Sequence, residues 1–265
     1  MLIWRSRLKP NNKTLILQFK QPKALSSNRS KSTRLSLVKF YVTVLRALNF
    51  KFTTVSKAMS LKYGRYCCLT FDCSHRDLYH QVYPWLAQKN IPATLLIATS
   101  DIENTASNRP SLQHTSTPTR MTWKNIKSLS QAKWEIGTVG NTDKLLIEKS
   151  FQEQMQTIQT AKNLIVQRVG KEPQVYAYPK GAYDSSSINC LKACGFRFGL
   201  SLTRGINRGE KNHFHLKRLS INSLDFKALF STLKYVFIKS TYKNKLAKLK
   251  PSKSGSHEVV AGAKL

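Results

Sequence analysis

The run Cys68-Leu69-Thr70-Phe71-Asp72-Cys73-Ser74 constrains the fold more than any other stretch of this chain. It reads as a short buried strand that ends by presenting a carboxylate. An amphipathic helix follows, with Leu78, Tyr79, Val82, Tyr83 and Leu86 on one stripe, and then a second apolar strand, Ile91 to Ile97. A strand–helix–strand unit of this length favours parallel pairing, because the helix carries the chain back to the starting edge. In parallel sheets chemistry gathers at the carboxyl ends of the strands, where Asp72 falls.

The alternation continues along the chain. A loop over 100–118 is rich in Ser, Thr, Asn and Pro. A helix over 122–131 begins at the N-cap candidate Thr122, and a short strand over 133–137 follows. A helix over 147–169 is stopped by Gly170. A strand over 174–178 precedes a helix over 185–194, capped by Asp184 and ended by Gly195, and a strand over 196–202 closes that unit. A last helix over 224–238 places Phe226, Leu229, Phe230, Leu233, Val236 and Phe237 on one stripe. Residues 1–35 are rich in Ser, Asn and Lys with little periodicity and are expected to be disordered. Residues 36–56 hold an apolar stretch with helical or strand potential, and Met59 stands just before the recognisable domain as a candidate natural start. The expected organisation is a basic, largely disordered or surface-associated extension over 1–62, a folded domain over 63–240 and a basic tail over 241–265.

Four segments in order resemble the polysaccharide deacetylase (NodB-homology) family. Residues 69–102 are similar to its opening, usually Leu-Thr-Phe-Asp-Asp-Gly, a helix and a Pro-Ala-Thr strand. Residues 121–146 resemble its second motif, which carries two histidines four residues apart. Tyr178-Pro179-Lys180-Gly181-Ala182-Tyr183-Asp184 is similar to its Tyr-Pro-x-Gly-x-Tyr-Asp turn, and Phe214 to Asn222 resembles its closing Leu-x-Arg segment. The resemblance covers roughly residues 63–225. It implies a distorted parallel (β/α) barrel, an N-acetylated carbohydrate polymer or oligomer as partner, and hydrolysis of a non-peptide amide bond.

Carried over residue by residue, the resemblance makes Asp72 the general base. The family's metal-ligating Asp falls on Cys73, and its two histidines fall on Val139 and Asp143. The implied cofactor is a divalent metal, zinc or similar, for which Cys73 and Asp143 are the candidate ligands. Cys and Asp can bind such an ion; Val cannot, and catalytic zinc normally keeps three protein ligands. A metal lowers the pKa of its bound water toward about 7, whereas free water stands near 15.7. Lys180 is the candidate surrogate cation for a developing oxyanion; the alternative is a surface lysine. Tyr178, Pro179 and Gly181 fit the pocket rim. His75, beside Asp72, could serve as acid or base near neutral pH, and Arg218 is the candidate substrate contact of the closing segment. Two functions follow: a carbohydrate N-deacetylase, or a pseudoenzyme that binds carbohydrate or an anionic surface.

Composition bears on partners. The formal net charge is +31, and no acidic residue precedes Asp72. Basic ends of this kind attract polyanions or an anionic membrane. No helix-turn-helix, zinc-finger or aromatic-basic RNA pattern accompanies the charge, so a specific nucleic-acid partner is not expected. Five cysteines without a disulfide framework lean toward a reducing compartment. The most apolar stretch, Leu37 to Leu48, is too short to span a bilayer and suits a membrane-surface helix. No signal-peptide pattern opens the chain. The expected location is cytoplasmic or peripheral to a membrane.

Overall fold

Ten consecutive residues near the start of the chain, Asn11–Lys20, form strand β1 and lie within a parallel sheet, with a strand on either side. The other strands are β2 (Lys51–Phe52), β3 (Tyr63–Asp72), β4 (Thr94–Ala98), β5 (Glu135–Gly140), β6 (Val175–Ala177), β7 (Phe198–Leu200) and β8 (Leu219–Ile221). The computed structural model describes residues 11–20, 29–106, 120–209 and 212–221. The sheet order is β7-β6-β5-β4-β3-β1-β8, with β2 also paired to β3. Leu200 of β7 forms a parallel bridge with Leu216, three residues before β8. Leu216 N–H donates to Gly199 O at 2.9 Å, and Ser201 N–H to Leu216 O at 2.8 Å. Residues 216–221 therefore link the two sides of the sheet, which curls into the expected parallel (β/α) barrel.

Both faces of the central strands are covered, which is why they read as unbroken apolar runs. Cys67, Cys68, Leu69 and Phe71 of β3 and Leu15, Ile16 and Leu17 of β1 are all buried. Inside the barrel Ile16, Cys68, Leu96, Val175, Ala177, Phe198, Leu200 and Leu216 pack with Val55 and Ala58 of helix α2 (Val55–Ser60). Asn12, at the start of β1, donates to Ala58 O and Leu61 O at 2.7 and 2.6 Å. Thr94, first in β4, accepts from Val55 N–H at 3.2 Å. These bonds set α2 across the amino-terminal ends of the strands.

Outside the sheet, helix α1 (Arg29–Ala47) buries Leu37, Val38, Tyr41, Val42 and Leu45. Tyr41 meets Phe19 edge-on; Phe19 stacks on Phe71, and Phe71 on Trp134. A π-helical turn at Leu78–Val82 leads into α3 (Tyr83–Gln88). Helix α4 (Thr99–Ala106) follows β4, and α5 (Trp123–Gln131) starts at the Thr122 capping box. Helix α6 (Phe151–Val169) starts at the Ser150–Glu153 capping box and stops at left-handed Gly170, and α7 (Ser185–Ala193) is capped by Asp184.

The expected boundary at residue 62 is corrected. Every residue of β1 pairs in register with β3, from Asn11↔Tyr63 to Lys20↔Asp72, and Leu17 to Phe19 pair with β8. The apolar run Leu15-Ile16-Leu17 is hidden on both faces, so it lacks the alternation that marks a strand from sequence alone. A fold beginning at Met59 would omit this strand. The apolar face of Leu37 to Leu48 is covered by protein, not left for a membrane surface. No described helix is long and apolar enough to cross a membrane. The loop expected over 100–118 is helical as far as Ala106. The helix expected over 224–238 and the tail over 241–265 lie outside the described residues.

Candidate active site

Asp72 ends β3, and its side chain remains 14% exposed at the floor of a cleft of about 490 Å³. Two buried residues hold it. Arg218 Nη1 lies 2.8 Å from Oδ1 and 3.0 Å from Oδ2. Gln18 Nε2 donates to Oδ2 from the neighbouring strand β1. Arg218 is itself fixed, because its Nε donates to Ser201 O at 3.0 Å and its backbone N–H to Thr203 O at 3.0 Å. A carboxylate offers about four lone-pair sites. The arginine and the glutamine together leave one edge of Asp72 open to the cleft.

The same cleft gathers the other matched motifs. Cys73 and Ser74 continue from Asp72, Val139 comes from β5, and Asp143 from the turn after it. Lys180 comes from the turn Pro179–Gly181 after β6. This turn is tightly determined. Lys180 adopts the left-handed conformation (φ 52°, ψ 14°) and Gly181 follows at φ 74°. A Cβ on Gly181 would stand 2.7 Å from Leu202 Cβ and Cγ, so only glycine fits.

Three sequence expectations change. Arg218 is 1% exposed and grips Asp72 from beneath, so it is a positioning residue and not a substrate contact. Tyr178 is buried; its hydroxyl donates to Phe214 O at 3.1 Å and its ring stacks on Tyr183 at 4.5 Å. Burial pushes its phenol above the usual tyrosine value. Tyr178 thus shapes the wall without offering a free polar group. His75 is not on the cleft: its Nδ1 accepts from Asp77 N–H at 3.2 Å and faces Asp77 Oδ2 at 3.3 Å. Pro179 and Gly181 hold the turn, and Pro179 lines the cleft with Lys180.

The sequence reading missed Gln18 and Lys20 of β1, both on the cleft, because their segment reads as a polar tail. It also missed Arg120, which pairs with Asp101 and donates to Ser74 Oγ at 3.4 Å. No spacing pattern in the sequence links Arg120 to Asp101.

The positions that carry the metal in the resembled family do not fit one here. Val139 offers only hydrocarbon where a ligand is needed, and Cys73 and Asp143 supply two donors at most. Among the described residues no three His, Cys, Asp or Glu side chains group to hold an ion.

A curled parallel barrel, plugged at the amino ends of its strands and bearing an arginine-held carboxylate at the carboxyl end of a central strand, defines an α/β barrel protein with an enzyme-type cleft. The family profile described as polysaccharide deacetylase matches residues 62–199, just over half of the sequence. The chain belongs to the polysaccharide deacetylase family. No curated protein matches the sequence. Among solved structures it is similar to the Streptococcus pyogenes deacetylase PplD in complex with acetate, at 18% identity and a TM-score of 0.67, covering 84% of this chain and 98% of that one. It is similar to IcaB from Ammonifex degensii at 15% identity and a TM-score of 0.65, covering 83% and 96%. The deacetylase domain of BpsB from Bordetella bronchiseptica matches at 17% identity and a TM-score of 0.64, covering 82% and 99%. At these identities the likeness speaks for the fold.

Proposed function

We propose that the cleft binds an N-acetylated carbohydrate and that the protein hydrolyses its N-acetyl group, with Asp72 as the general base. The observation that carries this reading is the grip of Arg218 and Gln18 on Asp72, which leaves one carboxylate edge facing the cleft shared by the matched motifs. In this mechanism Asp72 takes a proton from a water as its oxygen attacks the acetyl carbon. The Lys180 ammonium offsets the negative charge that develops on the carbonyl oxygen. The C–N bond then breaks, and the proton passes to the departing amine, giving acetate and an amino sugar. The family implies a divalent metal; the residues at its positions do not fit one, and no step here uses it. A positioned base supplies about 10²–10⁴-fold, so turnover is expected to be slow.

Val139, at a position where the family uses a histidine, favours a second reading. In it the cleft binds the sugar without turning it over, and the basic ends of the chain hold an anionic surface. The test is acetate release from N-acetylglucosamine oligomers by the full chain, with and without added Zn²⁺ or Co²⁺. Release that disappears in Asp72→Asn supports hydrolysis. No release from folded protein under any metal, with oligomer binding retained, favours the second reading.

A further inference from the structure

We propose that the carbohydrate taken by this cleft is acidic, an N-acetylated sugar bearing a carboxylate or phosphate group that docks between Lys20 and Lys180. The inference rests on the reading of the cleft as an N-acetyl sugar site and narrows its substrate class.

The charges on the cleft are unevenly matched. Asp72 is paired with Arg218, and Asp101 with Arg120. Lys20, at the end of β1, and Lys180, on the turn after β6, are both exposed and line the cleft. Neither has an ion-pair partner among the described residues, and only Asp143 on the rim offsets them. The cleft thus presents two cations without an ion-pair partner among the described residues, beside a carboxylate that is paired with Arg218. A neutral sugar offers these ammonium groups only uncharged oxygen acceptors. An anionic substituent gains charge-assisted hydrogen bonds from both.

Two further observations bear on the walls of the cleft. Lys180 is held at φ 52°, a conformation disfavoured for residues with a side chain. This conformation fixes the direction in which the Lys180 side chain leaves the turn. Gln18 supplies the complementary polarity. Gln18 lines the cleft; its Nε2 is committed to Asp72, whereas its Oε1 is buried with no hydrogen-bond partner among the described residues. An acetamido N–H or a sugar hydroxyl is the donor that this oxygen lacks. The two lysines on the cleft thus attract an anion.

Isothermal titration of the full chain at physiological ionic strength tests this. The probes are a neutral N-acetylglucosamine tetramer, a tetrasaccharide alternating glucuronate with N-acetylglucosamine, N-acetylglucosamine 6-phosphate beside free N-acetylglucosamine, and tetragalacturonate. The expected result is at least about tenfold tighter binding of the N-acetylated acidic tetrasaccharide than of the neutral one. The phosphate pair shows whether a phosphate ester serves as well as a carboxylate. Lys20→Gln/Lys180→Gln should bind acidic and neutral tetramers alike. Lys57→Gln/Lys89→Gln removes the same charge away from the cleft and should keep the preference. Equal affinity of wild type for acidic and neutral N-acetylated probes, or equal loss of the preference in both double variants, overturns the inference and leaves the sugar-site reading standing. Tetragalacturonate bound as tightly as the N-acetylated acidic tetramer, or no binding of any N-acetylated probe, overturns both.

Discussion

Arg218 reaches back across 146 residues of sequence to place one nitrogen within 3.0 Å of both oxygens of Asp72. The arginine is buried, and the carboxylate is the only acid it meets in the structure described. Removing one partner of such a pair strands the other charge, at a cost of about 3–5 kcal/mol. Arg218→Met should therefore destabilise the fold by that amount, and Arg218→Met/Asp72→Asn should recover part of it. Urea denaturation of the two single variants and the double variant checks this. Additive losses would mean that the pair is not coupled.

The turn after β6 is expected to be intolerant. Gly181→Ala must adopt a left-handed φ and push its methyl against Leu202. It should lose at least about 1 kcal/mol of stability and weaken oligomer binding by moving Lys180. Thermal melting and titration calorimetry read the two effects separately.

Strand β1 should behave as core. Ile16 is fully buried inside the barrel, so Ile16→Ala is expected to cost about 2–5 kcal/mol. A variant as stable as the parent in denaturant titration would contradict the central place of this strand.

Glu135, at the start of β5, accepts from Ser56 N–H at 3.3 Å, from Ser56 Oγ and from Thr94 Oγ1 at 2.9 Å. Burial outweighs these bonds and raises its carboxyl above the ordinary value of 4.5. The folded state therefore binds this proton more tightly than the unfolded chain. Its contribution is most favourable below pH 4.5 and declines as pH rises through the raised value. The stability difference between wild type and Glu135→Gln should shift against wild type over that rise. Paired melting curves at stepped pH would show it, and a flat difference would exclude it.

Metal dependence gives another check. Chelator should leave the melting temperature of the wild type unchanged, since Val139 interrupts the ligand set. Cys73→Asp/Val139→His/Asp143→His restores the three donor types that the family uses and should bind Zn²⁺ in direct titration, releasing protons as it does so.

Much of the barrel could be read from the sequence because its signals are local. Thr122 and Asp184 mark helix starts, Gly170 marks a stop, and the run around Asp72 is an apolar strand ending in an acid. The expected base and its companions Cys73, Asp143 and Lys180 do meet on one cleft. What escaped was non-local. Gln18, Lys20 and Arg218 acquire their places only through pairing between distant strands. A lysine-flanked run such as Thr14 to Lys20 looks like a tail until its partners are known. Arg218 read as a substrate contact because no sequence pattern records that Asp72 and Ser201 O surround it.

The position of β1 also sets an order of events during synthesis. Its residues leave the ribosome before those of its partners; β3 can pair with it early, but Leu17 also pairs with Leu219, so its second edge waits for nearly the whole domain to be made. Contacts of such long sequence separation slow folding. Until residues 216–221 emerge, β1 and β7 each have an open edge, and Asp72 has no Arg218. A nascent chain shorter than this can hold the recognisable motifs of the family and still lack the site they build.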